Sequence, residues 1–292
     1  MARWRSARES WVLAWLVLAT TAIALTLATV YFVAVRTVPG RLVSDASLRG
    51  AISSRATVQD SVDAVLNVVS VGSLLGAVAV VAVIALLRLE RARGLAAISV
   101  LCTANVATWL LKEHLLTRPD VGLDEIAPTT LNSLPSGHAT AAFSAVAALL
   151  IVLPARWRKS TALLGGGYAT ATALATMFAG WHRAVDSIAA FLVVGFCTLI
   201  ASTVLLVVGG YRPEVAADAS YRWWIAAAVG ALALGGVLAL GLFTLSPIPS
   251  TVVGSLLAFL SSGLLILGST LGMLVVMLRA LDITDGAAAI DG

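Results

Sequence analysis

Apolar stretches long enough to cross a bilayer dominate this chain and leave few folds open to it. Of its 292 residues, 60% are hydrophobic and only 12% are charged, and the mean hydropathy is +0.98. A helix needs about 20 apolar residues to cross ~30 Å of hydrocarbon. The composition therefore predicts an all-α integral membrane protein. We place about eight transmembrane helices at 11–35, 65–87, 95–112, 137–153, 161–180, 187–209, 223–245 and 251–278.

The distribution of positive charge predicts how these helices are oriented. Three arginines precede the first apolar run, which is about twice as long as that of a secretory signal and lacks a convincing cleavage site, so we interpret it as a retained helix. With the amino terminus in the cytoplasm, twelve of the nineteen Lys and Arg residues lie on the cytoplasmic side and seven on the other. Because Lys and Arg concentrate in cytoplasmic loops, we expect both termini in the cytoplasm of a plasma (inner) membrane protein.

Polar residues that could carry chemistry collect at three helix ends on the extracytoplasmic side. The third run ends at Lys112, and Arg118 stands directly before Pro119. A proline disfavours helical backbone at the residue before it, so Arg118 is expected on extended chain that folds back toward Lys112. The two cations could then clamp one anion. The alternative is that both only mark the membrane interface by extending their charged ends to water.

The tetrapeptide Pro135-Ser136-Gly137-His138 opens the fourth run. The first amides of a helix have no partner within the helix, and together with the helix dipole they attract phosphate. We therefore expect the amides of Ser136, Gly137 and His138 to bind an anion, and His138 to give a proton to a leaving oxygen. A structural histidine at a helix start is the alternative interpretation.

His182 and Asp186 form a second pair, at the start of the sixth run. Residues four apart share one face of a helix. A carboxylate that accepts a hydrogen bond from one ring nitrogen fixes the tautomer and leaves the other nitrogen free to attack. The alternative is a local contact between a helix-start carboxylate and a neighbouring ring.

A metal site is the rival chemistry, because histidine and carboxylate side chains can hold zinc. The available ligands are His114, His138, His182, Asp120, Asp124, Glu125 and Asp186. Lys112, Arg118 and Arg183 stand among them, and cations neither ligate a metal nor favour one nearby. We therefore expect an anion site that uses no metal and no organic cofactor.

These residues resemble the signature of the type 2 phosphatidic acid phosphatase family, which is similar in its core to vanadium haloperoxidases. That signature has three parts, K-x6-R-P, P-S-G-H and S-R-x5-H-x3-D, placed at the ends of six core helices. The resemblance covers roughly residues 65–209. It implies a six-helix phosphatase core over 1–210, an additional transmembrane hairpin over 211–281 and a short cytoplasmic tail over 282–292.

The resemblance also implies a role for each matching residue. His182 would be the nucleophile that forms a phosphohistidine, Asp186 its orienting partner and His138 the general acid. Four further residues would bind the substrate phosphate, namely Lys112, Arg118, Ser136 and Gly137.

This chain departs from the signature in two places. One residue fewer separates Lys112 from Arg118, and Ala175-Thr176 stand where the signature has Ser-Arg. A phosphate-binding arginine is therefore missing from its usual position. Arg183, beside the nucleophile, could supply the missing guanidinium. The alternatives are that Arg183 is an interfacial arginine or that catalysis is weak or lost.

We therefore predict a membrane phosphatase that acts at the extracytoplasmic face on a lipid phosphomonoester or diphosphate, such as a polyprenyl diphosphate, among membrane lipids and with no nucleic acid partner. A catalytically weak or inactive relative that binds lipid phosphate or a partner protein is the alternative. A transporter is disfavoured because the polar groups leave the membrane midplane apolar. The mixed-charge segment 36–64 is interpreted as a loop or a surface-lying helix.

Overall fold

The computed structural model describes residues 7–68, 71–120, 132–209, 220–244 and 251–288, and these fold entirely into helices and connecting turns. Within those ranges no strand occurs, so the all-α membrane fold predicted from composition is confirmed. The helices are α1 (Ala7–Arg36), α2 (Val38–Ser53), α3 (Arg55–Val68), α4 (Val71–Leu87), α5 (Arg91–Leu110) with a π-helical turn at Leu111–Leu115, α6 (Gly137–Val152), α7 (Ala155–Phe178), α8 (Ala184–Val208), α9 (Arg222–Thr244) and α10 (Val252–Ala288).

Five of these helices are long and apolar enough to cross a membrane, as far as the described residues extend: α1, α5, α8, α9 and α10. Two further apolar helices, α4 and α6, are shorter. The predicted run at 161–180 corresponds to α7, which carries charged residues in its first turns. The run predicted at 65–87 is divided, because residues 65–68 end the more polar helix α3 and the apolar helix α4 starts at Val71.

Helix α8 lies at the centre of the bundle. In its most apolar stretch 67% of the residues are buried inside the protein, compared with 17% in α1 and in α9. It packs against α1, α5, α6 and α10. A helix that is apolar on all sides suits such a position. Its first turn is therefore held at one end of the bundle, here called the site end, where α1 and α5 end and α6 and α8 begin.

The segment 36–64 forms helices α2 and α3, so of the two interpretations the helical one is correct. Thr37 caps α2 by accepting a hydrogen bond from the amide of Gly40. Helix α2 is not a surface helix, however, because it packs against α10 and α1 and buries much of its length. It covers the site end and carries Arg41 and Asp45 into the protein interior.

The carboxyl-terminal helices pack closely against the remainder of the bundle. Helix α10 contacts α2, α7 and α8 as well as α9. The segment interpreted as a tail from 282 continues α10 to Ala288. There Asp285 accepts hydrogen bonds from Arg93 and from Arg158, the latter at 2.9 Å, and all three side chains are buried. Buried charges need such partners, so these contacts fasten the end of α10 to α5 and α7, opposite the site end.

Candidate active site

The turn before α6 presents backbone amides at the site end. Ser136 caps the helix, and its Oγ accepts a hydrogen bond from the amide of Ala139 at 3.3 Å. Gly137 and His138 occupy the first two helical positions, where amides have no partner within the helix. A Cβ added to Gly137 would meet no atom within 4 Å, so the backbone here is open to close approach.

The amide of Ser136 was predicted to bind the anion, and this prediction is wrong. It donates to the carbonyl oxygen of Asp186 at 2.9 Å. This bond joins the first turn of α6 to the first turn of α8. Ser136 therefore positions the two helix starts, and the amides of Gly137 and His138 occupy the first two positions of α6.

Asp186 holds His182 in one orientation. Its Oδ2 accepts hydrogen bonds from Ser133 Oγ at 2.7 Å and from the amide of Arg183 at 2.9 Å. The same oxygen lies 3.2 Å from His182 Nδ1. Asp186 is completely buried and His182 is 7% exposed. Because a carboxylate only accepts, Nδ1 carries the proton and Nε2 keeps its lone pair.

The predicted pair therefore forms, although His182 lies in the turn before α8 and not on one helical face with Asp186. Ser133 is a partner that the sequence analysis missed. Ser133 stands two residues before the Pro-Ser-Gly-His tetrapeptide, and no spacing rule connects it to Asp186. Only the folding of that segment onto α8 brings them together.

A tight turn between α7 and α8 delivers His182 to the site. Gly180 has a φ of +78°, which glycine adopts readily and other residues do not. The amides of Trp181 and His182 then both donate to the carbonyl of Thr176, at 2.9 and 3.2 Å. The hydroxyl of Thr176 donates to Ala173 within its own helix. The residue at the position of the missing arginine thus supports the turn but supplies no charge.

The predicted proton donor lies near the predicted nucleophile. His138 is within electrostatic range of His182 and Lys112. Its ring packs against Trp181, with 5.4 Å between ring centroids. The two histidines, from the start of α6 and from the turn before α8, therefore lie near each other at the site end.

Lys112 lies in the π-helical turn that ends α5. The side chain of Asn132 donates to the carbonyls of Lys112 and Leu116, both at 2.8 Å, and so ties this turn to the segment before α6. A π turn changes the direction of the side chains that follow it. It occurs where the spacing from Lys112 to Arg118 is one residue shorter than in the phosphatase signature.

Three buried arginines surround Asp45, and we call Arg41, Arg118 and Arg183 the arginine cluster. Arg183 Nε donates to Asp45 Oδ1 at 2.7 Å. Arg118 Nη2 lies 3.9 Å from the same oxygen, and its side chain is only 3% exposed. Arg41 and Arg183 are fully buried. Arg183 was predicted to lie at the site, and the structure places it there in contact with a carboxylate from α2.

The amino-terminal helices hold the segment that carries Arg118. Arg41 Nη1 donates to the carbonyl of Pro119 at 2.8 Å. The hydroxyl of Tyr31 donates to the carbonyl of Thr117, also at 2.8 Å. The two residues flanking Arg118 are thus tied to α2 and α1, which fixes its backbone over the site end.

The guanidinium groups of the cluster repel one another, and the carboxylates of Asp45, Asp120 and Asp186 counter this repulsion. Burial is the main cause that lowers the pKa of Arg118 to about 10, and the charges of Arg183 and Arg41 lower it further. Burial also lowers the pKa of Arg41, against the opposing effect of Asp45. Both remain protonated near neutral pH. A bound dianion would relieve this repulsion, so the electrostatics favour an anion.

Arg41 and Asp45 lie at the candidate site and, like Ser133, were missed by the sequence analysis. They belong to no motif, and Asp45 contacts a residue 138 positions away in the chain. The one available pattern was their four-residue spacing, which places two opposite charges on one face of a helix. That pattern is equally typical of a solvated helix.

The alternative metal ligands do not assemble around the histidines. Among the residues that the structure describes, no group of three His, Cys, Asp or Glu side chains could hold a metal ion. His114 is exposed and packs edge to face on Trp109, with 4.9 Å between ring centroids. Asp124 and Glu125 lie outside the described residues.

Comparison with known proteins identifies one family. Residues 93–211 match the model of the PAP2 superfamily. This segment contains the π turn, the start of α6, the turn before α8 and the arginines at 118 and 183. No curated protein and no solved structure matches the chain.

Proposed function

Because residues 93–211 belong to the PAP2 superfamily, which supports a phosphatase-type activity, we propose that this chain is a membrane phosphatase that hydrolyses a lipid phosphomonoester or diphosphate through a phosphohistidine intermediate. The observation that carries the proposal is the carboxylate of Asp186, held by three donors, beside the ring of His182. That arrangement fixes the tautomer that nucleophilic attack requires.

The first step transfers the phosphoryl group to the protein. Nε2 of His182 attacks phosphorus with its lone pair, and the nitrogen–phosphorus bond forms as the bond to the lipid oxygen breaks. His138 gives its proton to the departing oxygen and becomes neutral. Asp186 stabilises the positive charge that develops on the ring of His182.

The second step releases phosphate. A water molecule attacks phosphorus, and the now neutral His138 accepts its proton. The nitrogen–phosphorus bond breaks, and its electron pair returns to Nε2 of His182. Inorganic phosphate leaves, and both histidines are restored to their starting states.

Cations and amides stabilise the charge of the transferred group. The amides of Gly137 and His138 approach one side at the start of α6. Lys112 and the arginine cluster provide positive charge from the end of α5, from α2 and from the turn before α8. Preorganised donors of this kind supply much of the rate of phosphoryl transfer. In this scheme Arg183, assisted by Arg41, replaces the guanidinium that Thr176 lacks.

We place the reaction at the extracytoplasmic face and the substrate in the bilayer. The distribution of Lys and Arg along the chain supports this orientation. The exposed apolar surfaces of α1 and α9, typical of lipid-facing helices, support a substrate that arrives from the membrane.

A second candidate function is a catalytically silent protein that binds lipid phosphate. Two observations favour it: Thr176 stands in place of the signature arginine, and Asp45 already pairs with Arg183. Both candidates bind a phosphate, and only the first releases it.

Phosphate release from a panel of lipids in sealed vesicles of known protein orientation tests the proposal. The panel contains phosphatidate, a polyprenyl diphosphate and phosphatidylglycerol phosphate, each with and without EDTA. We expect release that EDTA does not inhibit, and only when the substrate reaches the extracytoplasmic face. Absence of release from every lipid would favour the silent binder, and inhibition by EDTA would favour metal chemistry.

Inorganic phosphate is expected to stabilise the protein, because a dianion relieves the repulsion within the arginine cluster. A ligand at about 100 times its Kd adds about 2.7 kcal/mol to the free energy of unfolding. The measurement is the increase in Tm with phosphate concentration in detergent. Replacing Arg118 with Ala should reduce this increase, and chloride at equal ionic strength is the control. An equal increase with both salts would contradict an anion site.

Replacing Asp45 with Asn is expected to lower the free energy of unfolding by about 3 kcal/mol, because it leaves buried arginines without their carboxylate. Phosphate should then raise the Tm of this variant more than that of the unmodified protein, since it restores the missing negative charge. The matched control is Asp285→Asn, which removes a buried carboxylate at the opposite end of the bundle. Equal responses of both variants to phosphate would rule out this role for Asp45.

A further inference from the structure

An apolar cavity of about 610 Å³ lies beside the arginine cluster, and the proposed reaction assigns no role to it. It is bounded by α1, α2, α8, α9 and α10, and its walls are mainly aliphatic with a few hydroxyl groups. Its volume falls in the range of about 300–1,000 Å³ that is typical of ligand sites in proteins. A cavity of this size and character suits a hydrocarbon chain.

Helix α2 forms a boundary that the cavity shares with the arginine cluster. Gly40, Val43 and Ser44 line the cavity. The adjacent positions on the same two turns are Arg41 of the arginine cluster and Asp45, the carboxylate that the cluster contacts. The charged site and the apolar cavity are therefore built on the same short stretch of α2.

The first turn of α8 repeats this arrangement. Ala184 and Val185 line the cavity, whereas Arg183 and Asp186 belong to the site. From this turn the cavity continues along α8 to Leu192, a distance of about 10 Å at 1.5 Å per residue. Along α10 it extends from Ser261 to Met273, about 18 Å. The cavity thus reaches from the site end to roughly the middle of ~30 Å of hydrocarbon.

We propose that this cavity, the tail chamber, receives the hydrocarbon chain of a lipid phosphate whose headgroup lies at the arginine cluster. The inference rests on the proposed function and identifies the substrate as a lipid whose chain enters the protein. The chain of a lipid without an anionic headgroup would bind there less tightly, because it would gain nothing from the adjacent cations. The arginine cluster therefore selects lipids with an anionic headgroup, and the length of the tail chamber selects the length of the hydrocarbon chain.

The tail chamber gives α9 and α10 a function. Both helices lie outside the segment 93–211 that matches the PAP2 superfamily. Leu232, Leu240 and Phe243 of α9 and Leu265 of α10 form its wall on the side away from α8. The carboxyl-terminal pair thus supplies the specificity for the hydrocarbon chain, while the matched segment supplies the chemistry.

Gly272 offers a way to shorten the chamber without disturbing its walls. It lies near the deep end, and a Cβ added there would meet no atom within 4 Å. A larger side chain would therefore project into the chamber. Gly230 on α9 is the matched control, because it is exposed, lines no part of the chamber and also has open space around an added Cβ.

The test compares Gly272→Phe with Gly230→Phe on two substrates, a long-chain phosphatidate and a short-chain, water-soluble lipid phosphate. We expect Gly272→Phe to lower the ratio of kcat/KM for the long chain over the short chain by about tenfold or more, as blocking an apolar pocket does. Gly230→Phe should leave the ratio unchanged. An unchanged ratio in Gly272→Phe would overturn the chamber. Absence of turnover in the unmodified protein would contradict the proposed function instead.

A binding measurement tests the chamber without turnover. A phosphonate lipid with a photoreactive group at the end of its chain should label residues 261–273 of α10, and Gly272→Phe should reduce this labelling. A neutral diacylglycerol carrying the same photoreactive group is the comparison. Equal labelling by the neutral lipid would show that ordinary membrane lipid fills the cavity, and labelling confined to other helices would place the chain elsewhere. Either result overturns the proposal.

Discussion

Replacing His182 with Ala is expected to reduce phosphate release by about 10⁴-fold or more, because it removes the group that forms the covalent intermediate. The fold should survive, since Asp186 keeps the hydrogen bonds from Ser133 and from the amide of Arg183. The measurement is the initial rate of phosphate release at saturating lipid, together with Tm for each variant.

The matched control for this substitution is His114→Ala. His114 is exposed, packs on Trp109 and belongs to the π turn, so its loss should leave the rate within about twofold, as is usual for exposed positions away from a site. A label from a radioactive substrate should also remain on the unmodified protein after rapid quenching in alkali and be absent from His182→Ala. Unaltered turnover in His182→Ala would remove the phosphohistidine from the mechanism.

Replacing Arg183 with Ala is expected to lower kcat by about 10²-fold or more and to raise KM, because one charged donor to the transferred phosphoryl group is lost. Arg183→Lys should recover only part of the rate, since an ammonium lacks the planar fork of the guanidinium. The kinetics must be measured well below the Tm of each variant, because Arg183 is fully buried and also pairs with Asp45.

Arg158→Ala separates the kinetic effect of Arg183 from its structural effect. Arg158 is as deeply buried, and it pairs with Asp282 and Asp285 at the opposite end of the bundle. Its removal should lower Tm by a similar amount but leave kcat and KM of the folded protein close to their original values. If Arg183→Ala likewise changed Tm alone, Arg183 would be a structural residue and the guanidinium missing at Thr176 would have no replacement.

Local sequence patterns were sufficient to predict the helical fold class and the residues His138, His182 and Asp186 at the centre of the site. A bilayer admits only helices and closed barrels, and apolar runs of about 20 residues select helices, so the sequence leads directly to the observed architecture. The short separation of His182 and Asp186 predicted their contact, but His182 lies in the turn before α8 and reaches Asp186 around the helix start rather than along one helical face. The tetrapeptide ending in His138 starts a helix because serine is a favoured cap and glycine follows it.

Packing between distant segments determined the remainder of the site. Helix α2 has a mixed-charge face that suits either water or a buried partner, and its local sequence does not distinguish the two. The difference is the free energy of removing Asp45 from water, which opposite charges at the same place can offset. Those charges come from Arg118 and Arg183, far along the chain, so the ion pair with Asp45 exists only in the assembled bundle.

Packing between distant segments also determined the tail chamber and the continuation of α10 as a helix to Ala288. An apolar face in the sequence is equally suited to lipid, to another helix or to a cavity, because burial of apolar surface has no direction. Which of these it meets depends on how α1, α8, α9 and α10 cross one another. Spacing along the chain therefore predicts the chemistry of His182 and Asp186, whereas the surroundings of that pair are a property of the tertiary structure.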